Sequence, residues 1–141
     1  MTDKHRNNLE RLEKIIVKTK RVLTLDFLGY QSIVKLKSHL KSEESVIISG
    51  STCTPHRISD SEIYWTTNCP IGAYFGSHFH EWNEKIEMIR GYAEVKTYIG
   101  LEVYDVISLK AGDVITIERG IAHDFRNVGD CDLECKVTHY K

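Results

Sequence analysis

Between Gly72 and Gly91 the chain reads GAYFGSHFHEWNEKIEMIRG, with His78 and His80 one residue apart and Glu84 shortly after. In a strand, residues two apart point the same way, so the two imidazoles stand side by side on one face, their backbones about 7 Å apart. Phe79 then faces the opposite layer. A short turn, Glu81 to Asn83, lets the next strand return beside the first and brings the Glu84 carboxylate to the same point. Two imidazoles and a carboxylate match a common transition-metal ligand set. A surface strand can carry two histidines by chance, so the pattern needs a further donor from elsewhere. GDVITIERGIAHDFRN, Gly112 to Asn127, supplies one: His123 comes early in another strand, just after a tight turn at Arg119-Gly120.

Counting in twos from these donors gives the rest of a cavity wall. Back from His78 lie Gly76 and Tyr74, and Tyr74 is a candidate to donate a hydrogen bond to a substrate. Forward from Glu84 lie Ile86 and Met88. Phe125 and Asn127 share parity with His123, which makes Phe125 a pocket residue and Asn127 a tie for a backbone turn. Leu133, Cys135 and Val137 form the inner face of the last strand. Arg90, Arg119 and Arg126 are candidates to hold an anionic substrate by bidentate pairing, and Arg119 sits at the expected mouth. His5, His39, His56 and His139 fall outside both segments and read as surface or structural.

The elements that position these residues are mostly strands. From Asn7 to Leu23 apolar residues recur at spacings of three and four, which predicts an amphipathic helix. From Ser32 to Leu40 the period changes to two, with Val34, Leu36 and Leu40 opposite Lys35, Lys37 and His39, which predicts a strand. Further β-type runs follow in SVIIS, SEIYWTT, AYFGSHFH, KIEMIRG, AEVKTYI, LEVYDVISL, DVITIE, AHDFRN and LECKVTHY, separated by Gly, Asn, Asp or Pro. Residues 51 to 60 carry no clear signal. Many short strands and one helix imply a β-sandwich or barrel.

At 141 residues the chain is one domain's worth. The expected division is residues 1–28 for the helix and lead-in strand and 29–141 for the barrel. No apolar run is long enough to span a bilayer as a helix. The polar start lacks the apolar core of a secretory signal, so the expected location is cytoplasmic. Four cysteines in such a setting read as reduced thiols, and on one strand Cys131 and Cys135 stand roughly 13 Å apart, too far to share an ion easily. Residues 1 to 41 hold ten Lys and Arg against four Asp and Glu, while the rest is acidic. No recognition-helix pattern follows, so the basic start reads as a solvated helix face and not as a nucleic-acid contact.

The two histidine segments together resemble the paired motifs of the cupin superfamily. Gly72, His78, His80, Glu84 and Gly91 fit the first motif, and Gly112, Gly120, His123 and Asn127 fit the second, with Glu118 where the family usually has proline. Resemblance implies an all-β fold, a double-stranded β-helix or small jelly-roll barrel, here with an N-terminal helix. It also implies one divalent transition metal (Fe, Mn, Ni, Cu or Zn) on His78, His80, Glu84 and His123. The implied activity is a metal-dependent oxidoreductase of dioxygenase type acting on a small polar metabolite. In that reading Glu84 and Tyr74 are catalytic, and Arg119, Phe125 and Met88 meet the substrate. The alternatives are a sugar isomerase or epimerase, and a non-catalytic metabolite-binding module. Cupin barrels commonly associate, so the expected partner besides the small molecule is a second copy, contacted through the N-terminal helix or an early strand.

Overall fold

The protein, described from a computed structural model, is defined over residues 21–23 and 29–141. Most of the helix expected over residues 7–23 lies outside these residues. Its last turn does not: Arg21–Val22 is a short strand, β1, paired in parallel with Val46 and Ile47, and the Leu23 amide continues the pairing on Ile47 O at 2.9 Å. Sheet pairing overrides the local helical period here.

The remaining elements are β2 (Gly29–Gln31), α1 (Ile33–Lys37), β3 (Val46–Ile48), β4 (Ser51–Ile58), β5 (Glu62–Cys69), β6 (Tyr74–His80), β7 (Asn83–Arg90), β8 (Tyr92–Ile99), β9 (Glu102–Lys110), β10 (Val114–Ile117), β11 (Ala122–Asn127) and β12 (Leu133–Tyr140). They form two sheets, one in the order β1-β3-β4-β5-β12-β7-β10 and the other β2-β6-β11-β8-β9. Alternation along the strands sends one set of side chains between the sheets, where Ile63, Val46, Val95 and Leu133 are fully buried. This is the all-β jelly roll that the sequence leads one to expect.

Three local readings are corrected. The segment after Ser32 is a helix, not a strand: Ser32 caps it by accepting from the Lys35 amide, Ile33 and Leu36 are its buried residues, and Leu40, four further on and past its end, is buried as well. Glu81 adds a second cap by accepting from the Ile33 and Val34 amides at 2.8 and 3.3 Å. Residues 51–58, which carry no clear strand signal, form β4 with Pro55 inside it, and a register shift between Pro55 and Arg57 absorbs the residue that cannot donate to the ladder. The turn after His80 does not make a hairpin. β7 crosses to the opposite sheet, so Glu84 approaches the histidines from across the sandwich and not from beside them.

Two glycines hold the motif segments in place. Gly91, at φ +90°, passes Leu133 so closely that a Cβ would lie 3.1 Å from its Cα. Gly120, at φ +80°, donates its amide to His80 O at 2.9 Å, which ties the turn before β11 to the end of β6. Among the described residues no helix is long and apolar enough to cross a membrane.

Candidate metal centre

The two sheets bring together two cross-strand pairs. In one, His78 on β6 lies opposite His123 on β11, with His80 one rung along. In the other, Glu84 on β7 lies opposite His139 on β12. All five side chains are buried and line one cavity of about 80 Å³. Donor atoms of His78, His80 and His123 lie within 4.8 Å of one another, as do those of His80, Glu84 and His139.

The backbone sets the tautomer of the three histidines on β6 and β11. His78 Nδ1 donates to Gly76 O at 2.7 Å, His80 Nδ1 to Trp82 O at 2.7 Å and His123 Nδ1 to Ile121 O at 2.9 Å. A carbonyl only accepts, so each Nδ1 carries the proton and each Nε2 keeps its lone pair for the cavity. The Nε2 atoms of His80 and His123 are buried without a hydrogen-bond partner among the described residues. Buried polar atoms are seldom left so, and three preset lone pairs beside a carboxylate are what a transition metal takes. His123 Nε2 is 2.8 Å from Glu84 Oε2 without hydrogen-bond alignment, a separation close to the ~3 Å between adjacent donors that each stand ~2.1 Å from one ion. The donor set fits a metal.

Electrostatics agrees. Burial, with neighbouring His123 adding to it, pushes His78 down to about 4, and burial pushes His80 down to about 4 against the pull of Glu84. Both rings are neutral at neutral pH. Burial works against charge on His123, but the adjoining Glu84 carboxylate outweighs it and raises this imidazole. Burial likewise opposes the charged form of Glu84, yet His123 and His139 hold it well below the usual carboxylate range.

The rest of the expected site divides. Phe125 lines the cavity, as do Ile86, Val137 and Cys135. Burial raises the Cys135 thiol and pushes Cys53, on the same wall, up to about 12, so neither is a ready nucleophile. Met88 is buried in the core but not on the cavity wall; four residues along β7 from Glu84 carry it about 13 Å away. Arg119 is exposed, and its backbone amide, not its guanidinium, is engaged, on Asn83 Oδ1. Tyr74 is on the outer side, where its hydroxyl donates to Asp124 and Arg126 stacks on its ring. The cause is a bulge: β11 advances two residues from His123 to Phe125 while β6 advances three from His78 to Phe75. One extra residue flips the parity, so Phe75 and not Tyr74 faces the cavity. Asn127 holds its turn as expected, donating to the carbonyls of Cys69, Pro70 and Cys131.

Two features escape the sequence reading. His139 belongs to the cluster, and the signal was available, since it is the next inward residue after Leu133, Cys135 and Val137. Gln31 and Ile33 line the cavity from β2 and α1, where the sequence reading placed neither.

A family model described as "Cupin domain" matches residues 65–139. No curated protein sequence matches the chain. Among solved structures, the cupin domain of Schizosaccharomyces pombe Cnp3 superposes with a TM-score of 0.59 at 16% identity over 64% of each chain. An RmlC-like cupin from Shewanella frigidimarina gives 0.58 at 14% identity over 73% of this chain and 85% of that one. A variant of Bacillus subtilis oxalate decarboxylase gives 0.61 at 17% identity over 70% of this chain but 27% of its own. These likenesses concern the fold.

Proposed function

The chain belongs to the cupin domain family, and from that premise we propose that it is a metal-dependent oxidoreductase of dioxygenase type. The observation that carries the reading is the convergence of three backbone-locked imidazoles and the Glu84 carboxylate on one buried, mostly apolar cavity. His78, His80, His123 and Glu84 would hold one divalent transition metal, Fe, Mn, Ni or Zn by the chemistry of the donors, with Fe or Mn suited to this reaction. When bound, such an ion supplies Lewis acidity and open positions for an oxygen-bearing substrate and O2.

The chain's own residues do the rest. Glu84, held ionised by the two imidazoles beside it, would supply the one anionic donor of the set. Trp65, Phe75 and Phe125 form an apolar wall that keeps water out, and α1 covers one end. At about 80 Å³ the cavity is small beside the roughly 300–1,000 Å³ of sites for drug-sized ligands. The substrate is then a small molecule with oxygen donors at one end and a compact apolar remainder. Among the described residues no Lys or Arg lines the cavity, which weighs against the phosphorylated or nucleotide-linked sugars of the isomerase reading.

The test is oxygen uptake by Fe(II)-reconstituted protein offered a panel of small hydroxy acids, diols and diketones. At least one compound should drive uptake that His123→Ala abolishes and Zn substitution stops. Conversion without O2, or by the Zn-loaded protein, would favour the isomerase. Saturable binding of panel compounds without conversion would favour the non-catalytic module.

The partner we propose is a second copy, pairing through β9. This edge strand exposes apolar residues on both faces, including Val103, Tyr104 and Val106, and a two-fold axis would set two such edges against each other. Sedimentation should find a dimer that Val103→Lys with Val106→Lys converts to monomer; an unchanged mass would move the contact elsewhere.

A further inference from the structure

His139 lies in neither motif, yet the fold spends a buried position on it. It is the cross-strand partner of Glu84, it is 5% exposed, and its Nε2 stands 2.9 Å from Glu84 Oε1. The other oxygen, Oε2, faces His123. The carboxylate is thus spread between two imidazoles, one from each sheet.

Three roles are open to such a residue. A ligand of a second ion would need His80, because the second donor group is His80, Glu84 and His139. His80 Nδ1 is engaged by Trp82 O, so one lone pair remains and the two groups compete for it. Two ions are excluded by that count. A fifth ligand of the same ion would need a tautomer set for it, as in His78, His80 and His123. Among the described residues no carbonyl does this for His139: its Nδ1 is buried with no hydrogen-bond partner there, and its Nε2 lies 2.9 Å from Glu84 Oε1. The third role remains.

Building on the metal-centre reading, we propose that His139 is a positioning residue: its Nε2–H holds Glu84 Oε1, so that Oε2 alone is presented to the three-histidine cluster. The register makes this a property of the fold, since directly opposed residues in antiparallel strands have Cβ atoms only about 5 Å apart. Carboxylates that ligate are commonly oriented in this way by a neighbour. The consequence is a one-oxygen ligand and a coordination position left for substrate.

The test uses the full chain loaded with Cu(II) for pulsed EPR and with Co(II) for chelator competition. Wild type should show three coordinated imidazoles, and so should His139→Gln. His139→Ala should weaken Co(II) binding about 10- to 100-fold with stoichiometry still one, and His139→Gln, whose amide can donate to the same oxygen, should restore most of the loss. Four imidazoles in wild type, unchanged affinity in His139→Ala, or no rescue by His139→Gln would overturn the assignment. If His139→Ala fails to fold, the wild-type imidazole count still decides. A wild type that takes up no ion would overturn the metal-centre reading itself, which separates that failure from this one.

Discussion

The pair His78 and His123 and the pair Glu84 and His139 face each other across the sandwich, yet they are built on different rules. On the β6 and β11 side, every ring is fixed by a backbone carbonyl two residues away, at 2.7 to 2.9 Å. On the β7 and β12 side no backbone group among the described residues holds either side chain; carboxylate and imidazole face each other at 2.9 Å. The first half is therefore as rigid as its strands and independent of what occupies the cavity. The second half can adjust. A site made this way presents three donors in advance and adapts the fourth.

The largest effect expected from that difference concerns metal retention. His123→Ala should lower affinity for Co(II) by more than about a hundredfold, and Glu84→Gln by up to about a hundredfold and by no less than His139→Ala, in chelator competition, if preset donors matter more than the adjustable one. The reverse order would break the comparison. Next in size is the acid response of the metal-free protein. His78 and His80 sit at about 4 against an ordinary 6.5, so the unfolded chain takes up protons that the folded one refuses between those values. Their contribution to stability should be full above pH 6.5 and fall towards pH 4, by up to about 1.4 kcal/mol per pH unit for each histidine, in urea unfolding. A flat profile would mean that the rigid half is not desolvated.

His123 has the opposite sign, because its raised imidazole must lose a proton before it can ligate. Metal affinity should therefore rise with pH above 6.5, by at most about tenfold per unit, and level off once that proton is gone; His123→Gln should flatten the rise. The smallest effect concerns the cover. Glu81→Ala removes the side chain that caps α1 and should cost about 1 kcal/mol of stability, while leaving the imidazole count at the metal unchanged.

The same contrast explains what could be read from the residues. His78, His80 and His123 were legible because alternation along a strand is local, and the motif glycines mark where the strands begin and end. Tyr74 was misplaced because a bulge is invisible to counting in twos, although Gly76 beside Ser77 is where one fits. Residues 32–40 carry both periods at once, Val34, Leu36 and Leu40 for a strand and Ile33, Leu36 and Leu40 for a helix. Capping by Ser32 and by the distant Glu81 decides between them. The crossing of β7 to the other sheet is a tertiary fact that turn length alone does not encode. His139 could have been found by extending the inward row of β12 one step further, but its contact with Glu84 depends on the β12–β7 register, which only the fold supplies.

The central claim is that the cluster holds one metal ion, and elemental analysis of the purified, untagged protein beside a His78→Ala, His80→Ala double variant tests it most directly. The expected result is close to one equivalent of a transition metal in the wild type, Fe or Mn under the dioxygenase reading, and almost none in the variant. No metal in either sample, or the same amount in both, would contradict it.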